Sequence, residues 1–322
     1  MAASVIAVDP IAGEGVVATH EFPAERALPL CTDVSAFWLG PITDFRAAVL
    51  NFYETSVAVV GSNIKWFKTE TMSRARPMTR EALDLLPFWL SDERARRQIA
   101  TLDFGDSDDP DWPSDKALTV KIFSTAGLEA GACRLVLPAD TGLETPDRFY
   151  DVARRLVMSS NFAYALAGFS VNWDPISPHA RQAEALFPYV AARFAGVDIP
   201  ALTGTVLALR EGIKCINWMT FLGKALWETL GIETEELQIR EDIDVEPCLA
   251  GVLITAGRRP VIGDRYRLEG VQAYRVVGSK LSPIRAHSHP PILPAGRDGD
   301  DEARTESWLG RFDAEPEAYD DR

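Results

Sequence analysis

An α+β fold, with a mixed or antiparallel sheet and packed helices, is predicted by three features of this sequence. Segments of strand period and helix period alternate irregularly, without the even rhythm of a doubly wound parallel sheet. Two strand-like runs, Leu118 to Ser124 and Cys133 to Pro138, are joined by a glycine-bearing turn around Gly127 and Gly131, which reads as a hairpin. A chain of 322 residues, 47% hydrophobic and 25% charged, also has the length and composition to bury a large core. The expected plan is a lead-in over residues 1–27, a folded region over 28–285 and an acidic, proline-bearing tail over 286–322. The folded region is either one unit or two fused α/β halves, 28–140 and 141–285.

Taken in order, Thr32 to Leu39 is short and aromatic and reads as a strand closed by Gly40-Pro41. Thr43 is placed to cap a helix whose face is Phe45, Ala48, Val49, Phe52, Tyr53 and Val57, ended by Gly61. Asn63 to Thr69 reads as a strand. Thr79 starts a helix through Leu83, Leu86 and Leu90, kinked by Pro87. Asp103 to Asp115 reads as one exposed loop, because two prolines and a glycine punctuate its aspartates. After the hairpin, Thr145-Pro146-Asp147 opens a helix with Phe149, Val152, Ala153, Leu156 and Val157 inward. Tyr164 to Trp173 reads as a strand, and Ser177-Pro178 opens a helix that Gly196 closes. Ile213 to Ile216 reads as a strand, with Asn217 capping a helix of Trp218, Phe221, Leu222, Ala225, Leu226, Thr229 and Leu230, ended by Gly231. Cys248 to Gly257 reads as a buried strand. Gly263-Asp264 leads into a helix through Leu268, Val271, Tyr274, Val277 and Leu281, which Pro283 stops. In the tail, Trp308, Leu309 and Phe312 are the residues able to dock.

Charge is the strongest bulk signal. The formal net charge is −14, from 33 basic and 47 acidic residues. That balance argues against binding nucleic acid or an anionic membrane and favours a basic partner. Two clusters concentrate it. One is Asp103, Asp106, Asp108, Asp109, Asp111 and Asp115; the other is Glu233, Glu235, Glu236, Glu241, Asp242, Asp244 and Glu246. The first lacks the sharp-turn glycine and closing glutamate of a calcium loop. No apolar run reaches the roughly 18 residues of a membrane span. The first residues lack a basic segment ahead of an apolar one, so no secretory signal is expected. Cys31, Cys133, Cys215 and Cys248 form no close pair, which suits buried thiols in a reducing, cytoplasmic setting.

The inventory of reactive centres is sparse. His20, His179, His287 and His289 have no partner at zinc-ligand spacing within a folded-looking segment, and His287 and His289 sit in the proline-bearing tail. Gly168-Phe169-Ser170-Val171-Asn172 lacks the second glycine of a nucleophile elbow, and Gly223-Lys224 lacks the upstream glycine of a phosphate loop. No catalytic residue, cofactor site or metal site is expected.

A resemblance supplies what chemistry does not. The run Gly212-Ile213-Lys214-Cys215-Ile216-Asn217-Trp218-Met219-Thr220-Phe221-Leu222, followed by Leu230-Gly231, resembles the type VI immunity family of TsiV-like proteins. So do Gly251 to Gly257, Pro260, Gly263-Asp264, Tyr274 and the Leu281-Ser282-Pro283-Ile284-Arg285 ending, with Trp308 to Phe312 further on. The likeness spans about residues 30–312 and is densest over 205–285. The chain departs from it at Gly231-Ile232, where a double glycine is expected, and over Tyr266 to Glu269.

The resemblance implies a cytoplasmic immunity protein that binds and silences an antibacterial effector of a type VI secretion system. The expected effector carries a nuclease domain, whose basic cleft either acidic cluster would complement. Gly212, Trp218, Phe221, Gly231, Gly251, Gly257, Gly263, Tyr274 and Pro283 read as scaffold, supplying turns and core rather than contacts. Two other readings are compatible with the residues alone: an enzyme of unrecognised chemistry, and a scaffold protein of a secretion locus. The sequence leaves the oligomeric state open, a homodimer included.

Overall fold

The computed structural model describes residues 28–91, 100–125, 127–158, 160–294 and 299–314. The expected lead-in, with His20, and the last eight residues of the tail lie outside them.

Among the described residues a ten-stranded sheet organises the fold. Its strands are β1 (Leu30–Leu39), β2 (Trp66–Thr69), β3 (Arg76–Pro77), β4 (Ala100–Gly105) and β5 (Ala117–Thr125). They continue as β6 (Leu128–Pro138), β7 (Tyr164–Val171), β8 (Met219–Gly223), β9 (Ile243–Cys248) and β10 (Gly251–Ala256). The order across the sheet is β3-β2-β4-β5-β6-β1-β7-β8-β10-β9, and neighbouring strands are antiparallel throughout. The fold is therefore α+β. β1 is central, pairing with β6 on one side and β7 on the other, so it joins the first part of the chain to the second.

One face of the sheet is apolar and covered by helix. Leu102, Phe104, Leu118, Val120, Cys133 and Leu135 alternate along β4, β5 and β6 and are buried. The Ile42–Val60 helix packs on β5 and β6, with Phe52 edge-on to Phe162 and Trp38 stacked on Phe45. Pro41 stands at its N-cap, so Thr43 lies inside the helix instead of capping it. Thr79 does cap, accepting the Ala82 amide, but that helix ends at Leu83 and a new one runs Leu85–Ser91. Pro87 explains the break: lacking an N–H, it cannot bond the Leu83 carbonyl four residues back, and the Tyr53 hydroxyl donates to that carbonyl at 3.0 Å.

Several expectations are corrected. Residues 218–223 are not helical: β8 lies between β7 and β10, buried on both faces. A strand buried on both sides reads as a continuous apolar run, and such a run satisfies a helical spacing by accident. Asn217 does not cap a helix there. It donates to the Phe169 carbonyl and accepts from the Trp218 amide, against Gly168, where a Cβ would fall 2.2 Å from the Asn217 Oδ1. The helix is only Lys224–Leu230, and Gly231 does end it, at φ +66°. Asp103 lies in strand β4, not in a loop, and Gly131 lies inside β6, facing Trp38. The region after Ser177 forms two short helices, Ala180–Glu184 and Phe187–Arg193. The later helix starts only at Gln272, leaving Leu268 exposed.

The opposite face carries the Leu202–Ala208 helix over β1 and β6 and the Gln272–Leu281 helix against β10. Against it also lie Ile292, Leu293, Trp308, Leu309 and Phe312, all buried, with the last helix at Asp301–Leu309. Arg285 fastens that helix by bonds to Glu306 and Asp313.

Candidate functional site

The first acidic cluster hangs below β4 and β5, on the connection between them. Its loop is held in shape by its own side chains: Ser114 Oγ accepts the Ser107 amide, Asp106 accepts the Lys116 amide and Asp109 accepts the Asp111 amide. It is also tied to the segment after β7, where Asn172 bonds the Ser114 carbonyl, Ser177 bonds the Asp111 carbonyl and His179 stacks on Trp112 at 3.7 Å. Asp108, Asp109 and Asp111 are exposed. Lys65 sits 2.7 Å from Asp108 and holds that carboxyl below the usual range. Partial burial, together with the Asp106 and Asp140 carboxylates, raises Asp115.

Asp103 stands apart from this loop. Its side chain joins a row running across four strands, Lys68–Asp103–Thr119–Arg134, given by the pairing of β2, β4, β5 and β6. The row floors a groove of ≈ 700 Å³ walled by Trp112 and Trp173. Burial pushes the Asp103 carboxyl up to about 6 against the bond from Thr119 and the nearby Lys121 and Lys68. The period-2 alternation of β4 showed neither this strand nor its groove, because the preceding residues carry no strand pattern and the aspartates suggested a turn.

The second cluster is spread along the opposite margin of the sheet. Glu233 and Glu236 form a capping box around the short turn Thr234–Glu236, with Glu235 exposed beside them. Glu241 is exposed, while Asp242 is paired with Arg240 at 2.9 Å. Asp244 and Glu246 project from β9. Arg154 binds Glu246 with both arms of its guanidinium and holds that carboxyl below the usual range; Asp244 is exposed. Next to Asp244 is a recess of ≈ 260 Å³ lined by Asp147, Tyr150, Trp218 and Thr255.

The structure does not bring the two clusters together. β4 is third and β9 tenth in the sheet order, so seven strand intervals separate them, on the order of 34 Å. A standard protein interface covers about 800 Å² per partner, a patch about 30 Å across. One such patch cannot be centred on both.

The family-like residues lie in turns and in the core. Gly212 lies under the Ser282–Ile284 turn that follows Leu281, since a Cβ there would be 2.1 Å from the Ile284 carbonyl. Gly251 allows β10 to start against β8, Gly257 accepts the Trp218 indole N–H, and Tyr274 receives the Val261 amide. Phe221 is buried in β8, Gly263 turns at φ +66° against Val271, and Pro283 starts the turn after the Gln272–Leu281 helix.

Two buried ion pairs went unread in the sequence. Lys214 gives its three donors to Asp198 Oδ1, Asp198 Oδ2 and the Ile199 carbonyl at 2.7–2.8 Å. Arg134 bonds Asp33 at 2.7 Å and the Val171 carbonyl at 3.0 Å. The partners are 16 and 101 residues apart, so no local pattern could show them. His289 is buried against Thr205 and the Pro290 carbonyl, and its burial brings it down to about 4. His287, exposed, pairs with Glu306. Among the described residues no group of three or more His, Cys, Asp or Glu is placed to hold a metal ion, and no helix is long and apolar enough to cross a membrane. All four cysteines are free thiols; burial pushes Cys31 and Cys133 far up, and Cys215 up to about 11.

Comparison with known proteins adds a family and a fold. The family TsiV, type VI immunity for VRR-NUC, matches residues 63–312. The Pseudomonas aeruginosa T6SS protein PA0821 has a similar structure, with a TM-score of 0.73 at 17% identity, covering 90% of this chain and 83% of that one. At that identity the likeness is one of fold. No curated protein matches the sequence.

Proposed function

Because the chain belongs to the TsiV family of type VI immunity proteins, matched over residues 63–312, we propose that it silences a nuclease effector of the VRR-NUC class by binding it and covering its working surface. The family match carries this reading. The physical chemistry supports it from a second direction. A domain that cuts nucleic acid presents a basic surface, and a chain of net charge −14 is attracted to such a surface over a Debye length or more. The exposed carboxylates of both clusters stand on turns and a strand held by their own hydrogen bonds, so little backbone freedom is lost on docking. An enzyme of unrecognised chemistry and a secretion-locus scaffold are disfavoured by the family, not by the geometry alone. A cytoplasmic encounter is the setting this reading favours, because a DNA-cutting effector acts there and three buried free thiols suit a reducing compartment.

The test is expression of a candidate cognate VRR-NUC domain, with and without this chain. The reading expects survival and co-purification as a complex. Cell death with the chain present and folded would reject it.

A further inference from the structure

Among the described residues the sheet has one long edge without a second strand partner. β3, at one margin, is only two residues, while β9, at the other, runs Ile243–Cys248 and pairs with β10 alone. The hydrogen-bonding phase of β9 follows from a bond just outside it. The Gly257 amide donates to the Asp242 carbonyl, so residues 257 and 242 form a hydrogen-bonded pair in the antiparallel register that aligns Ala256 with Ile243. Because such pairs alternate, Asp244, Glu246 and Cys248 turn their backbone groups toward β10. Ile243, Val245 and Pro247 turn theirs outward. The Ile243 amide is used by a local turn to the Arg240 carbonyl. The position of Pro247 agrees with this phase, since its missing donor falls on the outer side, where the ladder does not need it. Val245 is left with its side chain buried, while its N–H and C=O have no partner among the described residues.

The two faces beside that edge differ in chemistry. On one, Asp244 is exposed beside the recess lined by Asp147, Tyr150, Glu241, Asp242 and Arg258, where four carboxylates outnumber one arginine and leave the face acidic. On the other, the Ile243 and Val245 side chains are buried. A second copy of this chain is a poor occupant, because pairing β9 with itself would face like charges across the junction.

We infer that β9 receives an extended segment of the effector as an added strand, with basic side chains over Asp244 alternating with apolar ones on the Val245 side. The added strand takes up the Val245 N–H and C=O. Leu249, fully exposed at the β9–β10 turn, offers an apolar contact just past Pro247. This rests on the immunity reading and specifies how that binding is made.

The test uses the full chain and a purified candidate cognate VRR-NUC domain. Val245→Pro removes the outward N–H and leaves the β10 ladder intact, whereas Val245→Ala keeps the N–H and trims the packing. The proline variant is expected to bind at least about tenfold more weakly, and the alanine variant within about threefold of the unchanged chain. Hydrogen exchange at the Val245 amide reads the same contact without a substitution: exchange is expected to slow markedly in the complex. Unchanged affinity of a folded proline variant, or a Val245 amide equally exposed in the complex, overturns the edge. If the unchanged chain does not bind, the immunity reading itself fails and takes this inference with it.

Discussion

Lys214 and Asp198 are both withdrawn from water, and the pair survives there because the lysine's three donors are all accepted. Burial opposes ionisation of Asp198, yet Lys214 outweighs it and holds the carboxyl below its usual value. The stabilising contribution is thus present above the unfolded carboxyl's pKa and is lost as pH falls through the lower folded value. Lys214→Met leaves a buried carboxylate unpaired and is expected to cost about 3–5 kcal/mol, read as a fall in Tm at pH 7. Adding Asp198→Asn to the same chain is expected to recover part of that loss, which a merely steric role for Lys214 would not predict. Asp103 has the opposite sign. Its folded carboxyl keeps its proton up to about 6, above its unfolded value, so this group lowers stability as pH rises from about 4 to about 6. Asp103→Asn keeps an acceptor for Thr119 and is expected to raise Tm at pH 7.5 but not at pH 4. A gain of equal size at both would contradict the assignment.

At the scale of single elements, packing decides what the local pattern leaves open. Gly131 in β6 lies against Trp38: a Cβ there would fall 2.1 Å from the indole and 2.4 Å from the Lys121 carbonyl. The carbonyl belongs to the paired strand β5 and cannot yield, so Gly131→Ala is expected to cost about 2 kcal/mol or more in urea unfolding. A neutral result would show that the β5–β6 contact is looser than the structure has it. Much of this architecture was legible beforehand: β1, the long helix after it, the hairpin and β7 all follow from period and punctuation. The stretch 218–223 was not, because an interior strand has no polar face to mark its period. β4 was not, because Asp103 resembles a turn residue until the groove that receives it is known. The acidic clusters were visible as composition, whereas their separation across the sheet depends on strand order, which no single segment encodes. The outward amide of Val245 depends on pairing phase and was equally out of reach.

For the molecule as a whole, the separation of the clusters turns a general charge argument into a choice. If both carboxylate patches only provide solubility, reversing either leaves association with the effector unchanged. If β9 is the docking margin, reversing Glu241 and Asp244 is expected to slow association by about tenfold at low salt, and the difference should shrink as salt rises. Reversing Asp109 and Asp111, on the order of 34 Å away, is then expected to have little effect. The most direct measurement is nuclease inhibition in vitro. A purified candidate cognate VRR-NUC domain is incubated with DNA and increasing amounts of this chain, and cleavage is followed to completion. The account predicts that cleavage stops near one chain per nuclease, with a complex of that composition in solution. Undiminished cleavage at a large excess of folded chain would contradict it.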